Sequence, residues 1–581
     1  MSGLVLAGLV VSGAWTQLDE IGWIGWAPLI IALALDAYPY TLTWPRPSWP
    51  TDRADRAAVV AAAALCGFLL AHLLLTAREE FGFTGDEGYH LGTARAFTVY
   101  FSFMHAGVLL AAAVGIYAIL AYRRYRFAAS AAIAGLIVAS YFLPANRLFG
   151  RYPAGFYLIA APANMLFEAL NSPHPQAANH IVNVLSLPVW LFVLRPLVIG
   201  RWPDWRVVIV SLLVYFQPPA LTLMASSMLE PWAVVFALLS IEALVATEAN
   251  RRWIAVALCA IAICFKETMI LLLPPVWLLA CVEWRGRRPR LRPGSIALGV
   301  AAVAPFAVYY AVRVQMTTAR GYDFGGLALF TEARAMEWLS NARGQIGIGG
   351  MITVATAAVS SIASAPLWVA TAIAAALFFL ADAISVPWTG YSRFLIYSLL
   401  AICGAVFATL QRRQLPRRSL MMICAAILAL QLPATFRAFA LDFRPDHERN
   451  GLEWRGGLVR MPIRALASKI PMTPGGERVR KLRVTAFEID LISLRLAYPD
   501  LAAAYLLIPS ASDCSCRQDD EAVLGVFRWP ANLGDTPEAR AAYARVSASC
   551  VETIETTCAA QAVERDRSGA PIGILGVGRK Q

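Results

Sequence analysis

Charge is the scarcest commodity in this chain. Asp, Glu, Lys and Arg together make up 15 % of its 581 residues, against about 25 % in an ordinary soluble domain. So few charges exclude a disordered chain, which needs charge and little apolar surface. They also exclude a nucleic-acid-binding protein, whose basic residues gather on one face. Lysine is nearly absent: of 50 basic residues only Lys266, Lys469, Lys481 and Lys580 are lysines. A P-loop, a dinucleotide-binding glycine fingerprint and an H-E-x-x-H pair are all missing. ATP-driven transport and zinc proteolysis therefore lack their usual parts.

Apolar residues are abundant, at 58 %, and the mean hydropathy is +0.57. A soluble protein of this length has no interior large enough for that surface. The class that remains is an all-α polytopic membrane protein. The net charge of +12 comes from short arginine clusters between apolar runs. They lie near Arg46/Arg53/Arg56, Arg123/Arg124/Arg126, Arg195/Arg201/Arg206, Arg251/Arg252, five arginines over 285–292, and Arg412/Arg413/Arg417/Arg418. The positive-inside rule puts all of these in the cytoplasm.

Spans of about 20 residues fitted to this alternation fall near 57–77, 97–121, 127–145, 178–198, 207–227, 231–248, 253–265, 268–283, 295–313, 346–362, 366–381, 393–410 and 418–437. A hairpin near 3–16 and 22–38 precedes them, read as membrane segment because no basic n-region opens a signal peptide. The expected total is about 13 to 15 spans. The run 152–170 is apolar but would break the in/out alternation, so it reads as a re-entrant or interfacial helix on the outer side.

Residues 1–440 thus form a membrane domain, with a first outer loop near 78–96. From 441 to 581 the chain is charged and alternates strand-like and helix-like stretches, which predicts a small α/β domain outside the membrane. Strands are expected near 482–487, 505–509, 522–529 and 572–577, and a helix over 537–563 capped by Thr536. Cys514, Cys516, Cys550 and Cys558 lie in this tail. In an oxidising compartment they predict two disulfides, in any of three connectivities. A zinc site is the rival reading. The other six cysteines sit in apolar spans and read as core fillers.

Three motifs carry chemistry. Asp86-Glu87 follows the 57–77 span directly, with Tyr89 and His90 close behind. A carboxylate at the membrane boundary is partly desolvated and poised as a base, although acids also suit the first turn of a helix. Lys266-Glu267 stands between two apolar spans at an outer turn, and Lys266 is the only lysine in 1–468. An ionisable pair in so apolar a stretch is a functional candidate. Tyr391-Ser392-Arg393 closes an aromatic outer loop, and Arg393 is an arginine on the side the charge rule disfavours. Arginine clamps phosphates well. Arg147, Arg151, Tyr152 and Glu230 fall on the same outer side.

Together these features resemble the GT-C superfamily of polytopic glycosyltransferases. Asp86-Glu87 is similar to the acidic motif in the first outer loop of that family, and Tyr391-Ser392-Arg393-Phe394-Leu395 resembles its late aromatic-arginine segment. The resemblance implies a donor in the form of a polyprenyl phosphate sugar and a lipid, glycan or protein acceptor. It implies Asp86 as general base, Glu87 as its helper, and Lys266 and Arg393 as holders of the donor phosphate. Tyr89, His90, Arg147, Arg151, Tyr152, Glu230, Glu267 and Tyr391 would line the substrate site. Neither cofactor nor metal is expected, and membrane lipids are the surroundings. The Arg and Ala bias suggests a bacterial inner membrane, with the site and the tail facing the periplasm. Two other classes fit the composition: a transporter or flippase without chemistry, and an assembly subunit whose tail recruits partners.

Overall fold

The computed structural model describes residues 49–76, 81–82, 85–96, 153, 155–170, 177–216, 220–221, 224, 229–245, 252–285, 288–291, 303, 331–332, 336, 410, 415–442, 459–460, 463–470, 479–485, 499–510, 513–526, 537–565 and 571–580. Within them, two helical stretches are long and apolar enough to cross a bilayer, Arg53–Ala71 and Ala177–Ile199. The spans expected near 97–121, 127–145, 295–313, 346–362, 366–381 and 393–410, and the hairpin near 3–16 and 22–38, lie outside the described residues but for single positions.

The described residues open with α1 (Arg53–Thr76), β1 (Phe81–Gly82) and α2 (Gly85–Ala96). Next come α3 (Gly155–Ala169) and α4 (Ala177–Val189). A π-turn, Trp190–Leu194, joins α4 to α5 (Arg195–Ile199), where Pro188 and Pro196 cannot donate to the ladder. Gly200 stops α5 at φ +75°, a left-handed cap that only glycine adopts without strain, and its N–H bonds the carbonyls of Arg195 and Pro196. Then follow α6 (Trp205–Tyr215), α7 (Glu230–Val245), α8 (Arg252–Phe265), a 3-10 turn (Glu267–Leu272), α9 (Leu273–Cys281), the hairpin β2–β3 (Val282–Arg285 with Arg288–Leu291) and α10 (Arg417–Asp442).

Two expectations need correcting here. The span expected over 207–227 is not one helix: α6 ends at Tyr215, because Pro218 and Pro219 follow and disfavour helix before them. The span expected over 268–283 is a 3-10 turn followed by α9, with Pro274 and Pro275 at the junction. The arginine loop after it is an antiparallel hairpin, with Arg285 opposite Arg288.

One apolar core joins these helices, and several polar side chains bond across it. On α4, Asn179, Asn183 and Ser186 are buried at helical spacing and share one face. Asn164 of α3 donates to Asn179 Oδ1 at 2.7 Å, Trp232 Nε1 donates to the Val182 carbonyl, and Ser186 donates to Met224 Sδ. Such bonds bind helices together where water is absent.

One end of the bundle is fastened by arginines. Arg195, 1 % exposed, donates to Glu242 of α7 at 2.6 Å and to the carbonyls of Arg201 and Trp202. Asp204 caps α6 by accepting from the N–H groups of Arg206 and Val207. Arg417 of α10 pairs with Asp52 and Asp55, and Trp205 Nε1 donates to the Ala54 carbonyl. The arginines in these contacts, Arg195, Arg206 and Arg417, belong to clusters that the charge rule assigns to one side.

The tail continues with β4 (Val459–Arg460), α11 (Ile463–Ala467), β5 (Lys481–Thr485), α12 (Pro499–Ala504), β6 (Leu506–Ser510), β7 (Glu521–Val526), α13 (Pro537–Thr557), β8 (Cys558–Arg565) and β9 (Pro571–Arg579). Five strands form one sheet in the order β6-β5-β7-β9-β8, with β5 parallel to β6 and β7, and β9 antiparallel to β7 and β8. Side chains alternate between its faces. Leu482, Val484, Leu524 and Leu575 face α11 and α12, while Val523 and Ile574 face α13.

The helix expected to reach Val563 stops at Thr557, and Cys558 begins a strand. Thr556 and Thr557 turn their hydroxyls back onto carbonyls of the preceding turn, and β9 supplies a full pairing partner for β8. Thr536 lies outside the described residues. Two disulfides, Cys514–Cys550 and Cys516–Cys558, lie between the sheet and α13. Of the apolar-span cysteines, Cys66, Cys259, Cys264 and Cys424 are free thiols.

The loop that brings Cys514 and Cys516 to their partners is organised by charge. Arg483 of β5 donates to Asp513 at 2.8 Å and to Glu521 at 2.6 Å, and Thr485 donates to the Asp513 carbonyl. Burial pushes the Asp513 carboxyl up, but hydrogen bonds from Ser515 and the guanidiniums of Arg483 and Arg517 outweigh it and hold it below its ordinary value. The stabilisation it supplies is therefore complete above the ordinary carboxylate range. It is lost as pH falls through the depressed value. Unfolding followed against pH should show an acid limb below about pH 4 that flattens in Asp513→Asn; an unchanged limb would assign it to other carboxylates.

Candidate functional site

The acidic motif lies on α2, with Asp86 and Glu87 in its first turn, where carboxylates suit the positive end of the helix dipole. Two bodies hold α2. On the helical side, His90 Nδ1 and Tyr157 Oη of α3 lie 2.8 Å apart, a buried hydrogen bond whose donor follows the imidazole tautomer. On the tail side, β1 pairs antiparallel with β4, Phe81 opposite Arg460 and Gly82 opposite Val459. Leu91 is fully buried in the same core as Ile463, Leu466, Leu482 and Leu524. The helix that carries the acidic motif thus contributes to the hydrophobic core of the tail.

The same α3 touches the lysine turn. A β-carbon at Gly155 would lie 2.6 Å from the carbonyl oxygen of Cys264, so only glycine lets the start of α3 rest on the end of α8. Lys266 follows two residues later, 2 % exposed. Its ammonium is 3.8 Å from Glu230 of α7 and 3.7 Å from Glu267. Trp232 and Phe236 of α7 stack on Phe265 and close the apolar side of this turn. Both Glu267 oxygens and Thr268 Oγ1 lack hydrogen-bond partners among the described residues. The arrangement is a buried cation flanked by two carboxylates.

Of the sequence candidates, His90, Glu230, Lys266 and Glu267 are therefore gathered through α2, α3, α7 and the α8 turn. Asp86, Glu87 and Tyr89 join them through the backbone of α2. Arg147, Arg151, Tyr152, Tyr391 and Arg393 lie outside the described residues. Sequence reasoning missed Gly155, Tyr157 and Leu91. The signal for the first two was a small residue beside a polar aromatic in an otherwise apolar run; Leu91 carried none. Among the described residues, no group of three or more His, Cys, Asp or Glu could hold a metal ion.

Neither a family model, nor a curated protein, nor a solved structure matches this chain. The resemblance to polytopic glycosyltransferases rests on layout and motifs.

Gly155→Ala tests the junction. The added methyl meets backbone, which cannot swing aside as a side chain can. Overpacking of this kind costs about 1–3 kcal/mol, and it pushes α3, and Tyr157 with it, away from Lys266. A stability equal to the parent in a thermal melt would mean that α3 does not rest on the lysine turn.

Proposed function

We propose that the chain is a polytopic membrane glycosyltransferase of the GT-C kind. It moves a sugar from a polyprenyl phosphate donor to an acceptor on the extracytoplasmic face. The observation that carries this reading is convergence. The acidic-motif helix, helix α3 and the buried lysine turn are far apart in sequence, yet Gly155, Tyr157 and His90 link them. A base-bearing element and a phosphate-seeking cation set around one region are what sugar transfer from a lipid phosphate requires.

In the reaction, the acceptor hydroxyl attacks the anomeric carbon and Asp86 takes its proton. The bond between that carbon and the phosphate oxygen breaks with inversion. Its electron pair leaves on the polyprenyl phosphate, whose charge Lys266 and Arg393 stabilise. Glu87 orients the acceptor. His90, bonded to Tyr157, fixes the helix that carries both acids. The donor already carries its sugar on a phosphodiester and releases polyprenyl phosphate, so no nucleotide is consumed.

Two further observations support the reading. The arginine-fastened end and the lysine turn are far apart along α7, since Glu242 and Glu230 are separated by about 18 Å of helix. This agrees with a cytoplasmic and an outer side. The tail carries two disulfides, bonds that persist in oxidising compartments, and it binds the acidic-motif helix directly.

The test is turnover by purified full-length protein in detergent. A panel of polyprenyl phosphate sugars is offered with membrane extract as acceptor source, and release of polyprenyl phosphate is followed. One donor in the panel is expected to react. Absence of both binding and release across the panel would overturn the proposal and favour transport.

A further inference from the structure

At the arginine-fastened end, the approach to α1, the loop 200–206 and the start of α10 enclose a cleft of about 490 Å3. Its walls are rigid. Arg195 holds the loop by two carbonyls, Arg417 ties α10 to the foot of α1, and Trp205 ties α6 to α1. Trp49 and Trp202 meet edge to face with centroids 5.3 Å apart.

Most of the charge in the cleft is spoken for. Arg417 is matched by Asp52 and Asp55. Asp204 is shared by the N–H groups of Arg206 and Val207 and by the guanidiniums of Arg195 and Arg206. Two donors remain. Arg201 is exposed and in no ion pair among the described residues. Arg206 Nε is buried and has no acceptor among the described residues. Both line the cleft, beside Trp49, Trp202 and Trp205.

We propose that this cleft binds the phosphodiester headgroup of a glycerophospholipid. The proposal rests on the membrane reading of the chain and not on sugar transfer. Guanidiniums suit a phosphodiester. Indole rings settle at headgroup depth, apolar face toward the chains and N–H toward water. Basic pockets between helices on the cytoplasmic side are built for lipid headgroups.

The experiment is native mass spectrometry of the delipidated full chain in mild detergent. Phosphatidylglycerol, phosphatidylethanolamine and diacylglycerol are added in turn, and the last lipid retained is recorded. One phospholipid should stay bound, and diacylglycerol, which lacks the phosphodiester, should not. Arg201→Glu, at an exposed side chain that leaves the fold alone, should lower retention about tenfold, the loss of one charge-assisted contact. The Arg201→Ala/Arg206→Gln pair should lower it further. Equal retention of diacylglycerol, or parental retention by both variants, would overturn the proposal. Displacement by an equal concentration of glycerol 3-phosphate would overturn the lipid assignment in favour of a free phosphate ester. The readout is mass, so an inactive transferase leaves it intact. Recovery of the chain from cells without detergent would sink the membrane reading itself.

Discussion

Replacing Asp86 by asparagine is expected to lower sugar transfer by about 100- to 10,000-fold, the usual contribution of a general base, with little change in stability. Asparagine keeps the size of the side chain and its ability to cap a helix. It cannot take a proton from the acceptor. Asp86 lies in the first turn of α2, which is held from outside itself by the His90–Tyr157 bond, the β1–β4 ladder and Leu91. The substitution therefore removes the base without moving the helix. Donor binding should persist, so kcat falls while the donor KM stays near its parental value. Turnover at the parental rate would end the assignment of Asp86. Unfolding of the variant would return Asp86 to the role of a helix-capping acid.

Lys266→Met should be the most destabilising single change at this site. Lys266 and Glu230 are 2 % and 0 % exposed, and removing one partner of a buried pair costs about 3–5 kcal/mol. The loss comes from the carboxylates left behind. Glu230 and Glu267 both approach the ammonium, and without it they face each other across an apolar turn. Neutralising Glu230 as well, in Lys266→Met/Glu230→Gln, should restore much of the stability, because the remaining acid then has no like charge to oppose. It should not restore transfer, since the donor phosphate has lost its cation. Thermal melts in detergent and a donor-binding assay separate the two effects. A double variant no more stable than Lys266→Met would show that the carboxylates are not what the lysine holds.

Docking α2 into the tail also changes what tail truncation means. Leu91 is buried in the tail's core, and among the described residues β1 pairs with β4 alone. Loss of activity on removing 441–581 would follow from release of the acidic-motif helix. It would not by itself point to a recruited partner.

Much of this molecule is written locally. Scarce charge and clustered arginine, by themselves, carry the expectation of a membrane class and of a sidedness on which the proposal is built. Alternating apolar residues marked the core strands of the tail near their observed places, since a strand with one buried face needs that period. Four cysteines beyond residue 500 announced two disulfides. Paired prolines after Phe216 and Leu273 were legible signals that the fit of long spans overrode.

What only the tertiary structure decided is which distant pieces meet. Nothing local in Cys558 tells a helix end from a strand start; the choice falls to β9, which offers a hydrogen-bonding partner. The cysteine pairing followed from Arg483 and Thr485 drawing the 513–517 loop onto the sheet. Leu91 reads as one more apolar residue until the tail closes over it. Gly155 reads as a helix start until the Cys264 carbonyl arrives. Composition and periodicity report how a segment meets its solvent. Contacts between segments depend on the shape of both partners, and that information exists only once the chain has folded.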